Sequence, residues 1–156
     1  GIEEFCKLAQ QVGADGILFL DLPAEEAKSY KSILKKYKLH MIFLIAPTST
    51  VERIQKISKL ASGFIYYVSR TGVTGVRDQL AQGIQEKVEQ IKSKIKLPVV
   101  VGFGISSPEH VRQVSAMADG FVVGSAFIRI IKENLDSQEL ASKIQTFAKS
   151  LKQSIG

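Results

Sequence analysis

Cysteine, histidine and long apolar runs are all scarce in this sequence. One cysteine in 156 residues rules out a disulfide framework and points to a reducing compartment. Two separated histidines and that single cysteine do not make a metal-ligand set. No stretch reaches the roughly 18 apolar residues that a membrane span needs. The opening segment GIEEFCKLAQQVGADG has no basic region followed by an apolar run, so it is not a secretory signal. It also lacks an initiator Met and opens in a helical pattern, as though the chain were cut from something longer. No linker or low-complexity segment interrupts the rest, so one domain over 1–156 is expected. The reading is of a cytoplasmic protein.

Acidic residues are fewer than basic ones, 15 against 21, which gives a net charge of +6. The lysines are spread over predicted helices, with no basic run interleaved with stacking aromatics. Solvated helix faces explain them better than nucleic acid does, although such a field suits a small anionic substrate. Hydrophobic residues at 45% and charged residues at 23% are ordinary for a soluble globular domain.

What is present is a rhythm. Five apolar runs occupy 16–22, 41–47, 63–69, 98–104 and 120–126. They are continuous rather than alternating, as strands buried on both faces are. Helical patterns separate them. Residues 2–12 place Ile2, Phe5, Cys6, Ala9 and Val12 on one stripe, which gives Cys6 a core role. Helix 24–38 follows Pro23, which suits a first turn. Ser49 and Glu52 form a capping-box pattern ahead of Val51, Ile54, Ile57 and Leu60. Residues 79–95 carry a further apolar stripe, Ser107-Pro108-Glu109 opens another helix, and a last helix is expected over 137–153. Strict strand–helix alternation means a doubly wound sheet or a (βα)8 barrel.

Both folds put their ligand site at the carboxyl ends of the strands. There the sequence offers Asp21 and Pro23, Ala46 and Pro47, Ser69 to Gly75, Gly102-Phe103-Gly104, and Gly124-Ser125. The last three groups bring glycine, and so exposed backbone N–H, to strand ends, and two of them lead into helix starts. One such loop is turn chemistry; three on consecutive strands point to phosphate. GFGIS is not GxGxxG and no acidic residue is placed for a ribose, so a dinucleotide is disfavoured. Adjacent Tyr66 and Tyr67 face opposite sides of their strand, and an inward tyrosine near the top can wall a planar substrate. Asp21, at an apolar strand's end, is a general base or a helix cap. His40, before a strand, and His110, in the second turn of a capped helix, read as structural or solvated.

GADGILFLDLPAEE, GFIYYVSRTGVTG, GFGISSPEHV and GFVVGSAFIRIIKEN, in that order and spacing, closely resemble the tryptophan synthase alpha subunit family across essentially the whole chain. The resemblance implies a (βα)8 barrel, of which these five strands match the fourth to eighth. It implies cleavage of indole-3-glycerol phosphate to indole and glyceraldehyde 3-phosphate. The implied partner is a beta subunit in an alpha2beta2 assembly; pyridoxal phosphate belongs to that subunit, and no cofactor is expected here. The phosphate positions match Gly75, Gly104, Gly124 and Ser125. The indole pocket matches Leu18, Leu20, Leu44, Tyr66 and Phe103. Arg70, Gly72 and Thr74 belong to the lid loop after the family's sixth strand, where Thr74 matches a threonine that positions a catalytic aspartate. Asp21 and Pro23 match a segment near the partner interface.

The resemblance also implies two catalytic carboxylates, a glutamate and an aspartate, in the family's first two βα units. Those units have no counterpart in the 156 residues, so the chain alone is expected to be inactive. Two other readings share the glycine-rich ends. One is a different phosphate-binding barrel enzyme, a sugar-phosphate isomerase or an indole-glycerol-phosphate synthase. The other is a non-catalytic subunit that binds ligand and activates a beta subunit.

Overall fold

The computed structural model describes residues 1–20, 22–69, 77–102 and 104–155, with the side chains of all of these except 77–82. Its elements run α1 (Ile2–Gln11), β1 (Gly16–Phe19), α2 (Ala27–Lys36), β2 (His40–Ile45), α3 (Val51–Leu60), β3 (Ile65–Val68) and α4 (Arg77–Lys92). They continue with β4 (Val99–Gly102), α5 (Pro108–Ser115), β5 (Gly120–Val122), α6 (Ser125–Glu133) and α7 (Leu140–Lys152). Every strand pair is parallel, and the order across the sheet is the order along the chain. A doubly wound sheet reverses its order midway; this one never does. With right-handed crossovers, an unreversed order puts every helix on one face, as in the wall of a (βα)8 barrel. Five strands form part of that wall and do not close it.

The two faces of the sheet differ. Met41, Phe43, Ile45, Ile65, Tyr67, Val99 and Val101 alternate along their strands and are buried. They share one apolar core with Ile54, Ile57 and Leu60 of α3, with Ile84, Val88 and Ile91 of α4, and with Val111 and Val114 of α5. Phe19 closes the near end of that layer, its ring edge-on to Tyr30 of α2 at 5.9 Å. The register places Leu18, Ile42, Leu44, Tyr66, Val100 and Val122 on the opposite face. Leu18 and Val122, on the edge strands, remain 37% and 38% exposed there. The expectation of strands buried on both faces is therefore corrected: one face is a core and the other is open. Five strands cannot fill a barrel interior whose packing takes side chains from eight.

Several boundaries move for identifiable reasons. The strands stop short of the apolar runs. Pro47 has no N–H for a ladder, Gly104 turns into the left-handed region at φ 57°, and Ser125 and Ala126 already belong to α6. Helix α2 begins at Ala27, not 24, because Pro23 lies in a turn whose carbonyl accepts from the Glu26 N–H at 3.1 Å. The last helix begins at Leu140 rather than 137. Thr50, not Ser49, caps α3, its hydroxyl accepting from the Arg53 N–H at 3.2 Å. On α1, Cys6 is buried as expected, and burial, then the Glu3 charge, pushes its thiol pKa up. Phe5 and Val12 are 53% and 83% exposed, so the expected stripe is only half covered. α1 packs against α2, and β1 is an edge strand with no neighbour on its outer side among the described residues.

Asp119 fastens the amino ends of β4 and β5. Its carboxylate accepts from the Val99 N–H at 2.8 Å and from Lys92 Nζ at 3.0 Å, while its own N–H donates to the Val99 carbonyl at 2.9 Å. Burial pushes the carboxyl pKa up, but the Val99 N–H and the Lys92 ammonium outweigh it and hold the group below its usual value. A carboxyl lowered on folding adds stability above its unfolded pKa and loses that stability as pH falls through the folded value. The Lys92 pair is open to solvent on both sides and contributes little. Asp119→Ala is expected to destabilise the complete protein at pH 7 by about 1–3 kcal/mol, because the Val99 N–H loses its acceptor. Asp119→Asn should be less stable than wild type at pH 7, and the gap should narrow as pH falls below the ordinary carboxyl range, measured by urea denaturation across that range.

Candidate functional site

The open face carries one aromatic side chain whose position is fixed by a neighbour's lack of one. Tyr66 on β3 stands opposite Leu44 on β2 and Val100 on β4. Its ring lies across Gly102. A Cβ built on Gly102 would come within 2.8 Å of Cε2 and 2.9 Å of Cζ of Tyr66, and closer still to the hydroxyl. Glycine at 102 is thus a requirement of space: any side chain there displaces the ring. Leu18, Leu44 and Tyr66 share this face, and Leu20, 65% exposed, continues it past the end of β1. Ile42, Val100 and Val122 belong to it as well. The period-two alternation shows them once the register is fixed, and the sequence had not singled them out. Tyr67 points the other way into the core. Burial pushes its phenol pKa up, and a hydrogen bond with the Ser69 side chain pulls against that.

Above this face lie the rim glycines. Gly102 and Val122 are register partners, and Gly104 and Gly124 each sit two residues further on, at neighbouring strand ends. Gly104 holds φ 57°, which a side chain would strain. Gly124 has a negative φ and nothing within 4 Å of a built Cβ among the described residues, so neither its backbone conformation nor their packing demands glycine there.

The two helices that start at the rim differ in what their N-termini leave unused. On α5 the Ser107 hydroxyl accepts from the His110 N–H at 3.3 Å, and His110 Nδ1 accepts from the Ser106 N–H at 3.4 Å. Glu109 adds a negative charge to that first turn and pairs with Arg112 at 2.7 Å. His110 is therefore a structural capping residue in the first turn, not the second. Helix α6 has no side-chain cap and no acidic residue in its first turn. Its first N–H groups have no intrahelical acceptor, and they carry the positive end of the helix dipole. The described N-terminus of α6 is thus the one of the two that leaves its dipole without a side-chain partner.

Arg70, Gly72, Thr74, Gly75, Phe103 and Asp21 lie outside the described residues. Pro23 is exposed in the turn after β1, and Ser125 is exposed at the first position of α6. Among the described residues, the carboxyls with a displaced pKa, Glu3, Glu25, Glu52 and Asp119, are all held low. They are bases that stay ionised, not acids poised to donate. No group of three or more metal-ligating side chains occurs among the described residues. No helix among them is long and apolar enough to cross a membrane. Clefts among the described residues lie on the helix side, such as the one lined by Arg112, Ser115 and Ile155, and at the amino ends of the strands, where Lys92, Pro98 and Asp119 line another. What the described site can do is seat a flat apolar group against Tyr66 with an anion at α6.

The chain is similar to known proteins over essentially its whole length. A family model described as tryptophan synthase alpha chain matches residues 1–156. A tryptophan synthase alpha chain from Opitutus terrae is 49% identical over 152 residues, which is 97% of this chain and 57% of that protein. One from Geotalea daltonii is 47% identical over 155 residues, 99% of this chain and 58% of that protein. Among solved structures, tryptophan synthase subunit alpha from Legionella pneumophila superposes with a TM-score of 0.84 at 35% identity, covering 99% of this chain and 57% of that one. A chain of the tryptophan synthase a2b2 complex from Pyrococcus furiosus gives 0.86 at 34% identity, covering 97% and 60%. The chain spans somewhat over half the length of the relatives it matches.

The Tyr66–Gly102 contact is directly testable. Gly102→Ala is expected to cost about 1–3 kcal/mol through overpacking. In a Tyr66→Ala background the same change should cost less, with a coupling of at least about 0.5 kcal/mol. Denaturation midpoints of the four proteins give the answer; additive effects would show that the two residues do not touch.

Proposed function

Since the chain belongs to the tryptophan synthase alpha chain family, we propose that it forms strands four to eight, in a single domain, of a complete (βα)8 subunit that cleaves indole-3-glycerol phosphate to indole and glyceraldehyde 3-phosphate. The observation that carries this reading is the stacking of two features at one place. An apolar face with Tyr66 laid over Gly102 lies directly below a rim where α6 presents an uncapped N-terminus at Gly124. An indole ring fits the face and a phosphate fits the rim.

In this proposal Leu18, Leu20, Leu44, Tyr66 and Phe103 wall the indole. Backbone N–H groups at Gly75, Gly104, Gly124 and Ser125 hold the phosphate, with the Ser125 hydroxyl beside them. Arg70, Gly72 and Thr74 belong to a lid over the substrate. Asp21 and Pro23 lie toward a beta subunit in an alpha2beta2 assembly, and that subunit carries pyridoxal phosphate. The setting is the cytoplasm.

The chemistry divides between the parts. Breaking the carbon–carbon bond requires an acid to protonate the ring carbon, which turns the indole into a leaving group. A base must also take the proton from the glycerol hydroxyl as the new carbonyl forms. The glutamate and aspartate that the family uses for this belong to its first two βα units. The residues here bind and orient. Binding that is equal in the ground and transition states does not by itself speed the chemical step.

Gly124 is the cleanest test, because nothing among the described residues needs glycine there. In the complete subunit, Gly124→Val is expected to raise KM for indole-3-glycerol phosphate by about 10- to 100-fold, as lost charge-assisted hydrogen bonds would. The melting temperature should stay within about 2–4 °C of wild type. Gly104→Val should lose both binding and stability, since its backbone is left-handed. Steady-state indole release and thermal melts measure both. An unchanged KM in Gly124→Val would place the phosphate elsewhere.

A further inference from the structure

Lys87 sits on α4, with Ile84, Val88 and Ile91 of the same helix buried beside it. The residue is half-buried, and its ammonium has no carboxylate partner among the described residues. Instead Nζ donates to the carbonyl of Ser49 at 2.7 Å, across 38 residues of sequence. Ser49 is the one buried polar residue among the described residues, and it closes a tight turn. Its hydroxyl accepts from the Ala46 N–H at 3.0 Å, and its own N–H donates to the Ala46 carbonyl at 2.9 Å. That turn continues β2 directly after Leu44 and Ile45, and it delivers the chain to the Thr50 cap of α3.

A lysine beside the start of a helix is electrostatically disfavoured, because the helix N-terminus is the positive end of the dipole. Only a specific acceptor makes that placement favourable, and the Ser49 carbonyl is that acceptor. The bond therefore ties the helix that follows β3 to the rim loop that follows β2. These are the two strands that carry Tyr66 and Leu44 on the open face.

We propose that Lys87 is a positioning residue for substrate binding: it holds the 46–49 turn at the rim so that the Leu44 side of the apolar face keeps its shape. The inference rests on the proposed function of that face. Loss of the bond weakens ground-state and transition-state binding alike, which appears in KM and not in kcat.

The test is made on the complete subunit with indole-3-glycerol phosphate. Lys87→Met is expected to raise KM about threefold to tenfold with kcat within about twofold. Lys87→Arg, which keeps a charged donor, should return KM to within about twofold of wild type. Lys87→Gln, a neutral donor, should fall between them and serves if Lys87→Met does not fold. Amide hydrogen exchange at 46–50 should be faster in Lys87→Met and restored in Lys87→Arg. An unchanged KM in Lys87→Met and Lys87→Gln overturns the proposal even if the melting temperature falls, and so does failure of Lys87→Arg to recover it. No cleavage by the wild-type subunit removes the proposed function and this inference together. Cleavage by wild type with KM insensitive to residue 87 removes this inference alone.

Discussion

Unreversed parallel pairing is the constraint on which the rest of the structure depends. Each strand hydrogen-bonds to the next one along the chain, in register, so alternate residues are sorted onto two faces without exception from β1 to β5. All the crossing helices then share one face, and the large apolar residues of the strands pack beneath them. The other face collects Leu18, Leu44 and Tyr66 from three different strands. A one-residue slip of β3 against its neighbours would send Tyr66 into the helix layer and Tyr67 to the open side.

The same constraint sets the ends level. Because strands β4 and β5 are paired up to Gly102 and Val122, the residues just beyond them arrive at the rim together. There the chain makes two unlike helix starts. α5 satisfies its own N-terminus with Ser107 and His110, and α6 has no side-chain cap among the described residues. Two apparently similar glycine-rich motifs therefore have different uses. At Gly102 and Gly104 glycine answers to the space that Tyr66 occupies and to a left-handed backbone. At Gly124 neither reason applies among the described residues.

Much of this was legible in the sequence, for physical reasons. Continuous Val, Ile and Phe runs expose buried parallel strands, and Ser107-Pro108-Glu109 carries its cap, its proline and its first-turn charge within three residues. The strand ends were not legible, because apolar residues such as Leu20 continue past the last ladder bond onto the rim. Nor was the frame of the α3 cap: Ser49 and Thr50 are both competent, and only the fold shows that Ser49 is spent on the Ala46 turn. On α1 the periodic stripe was real, yet its coverage depends on neighbours that periodicity does not count, and Phe5 and Val12 stayed exposed. The fit of Tyr66 over Gly102 and the bond from Lys87 to Ser49 join residues 36 and 38 positions apart, beyond the reach of any local pattern. The chemistry of the ligand came from the motifs' resemblance to a family; glycines alone name an anion and not a substrate.

The central claim is that these strands bind while groups outside them perform the proton transfers. The most direct measurement is indole release from indole-3-glycerol phosphate by residues 1–156 alone, beside the complete subunit at equal concentration. The account predicts release by the complete subunit and none above background by residues 1–156. Release by residues 1–156 would contradict it, and would mean that a carboxylate within this chain, with Asp21 the first to replace, does the chemistry.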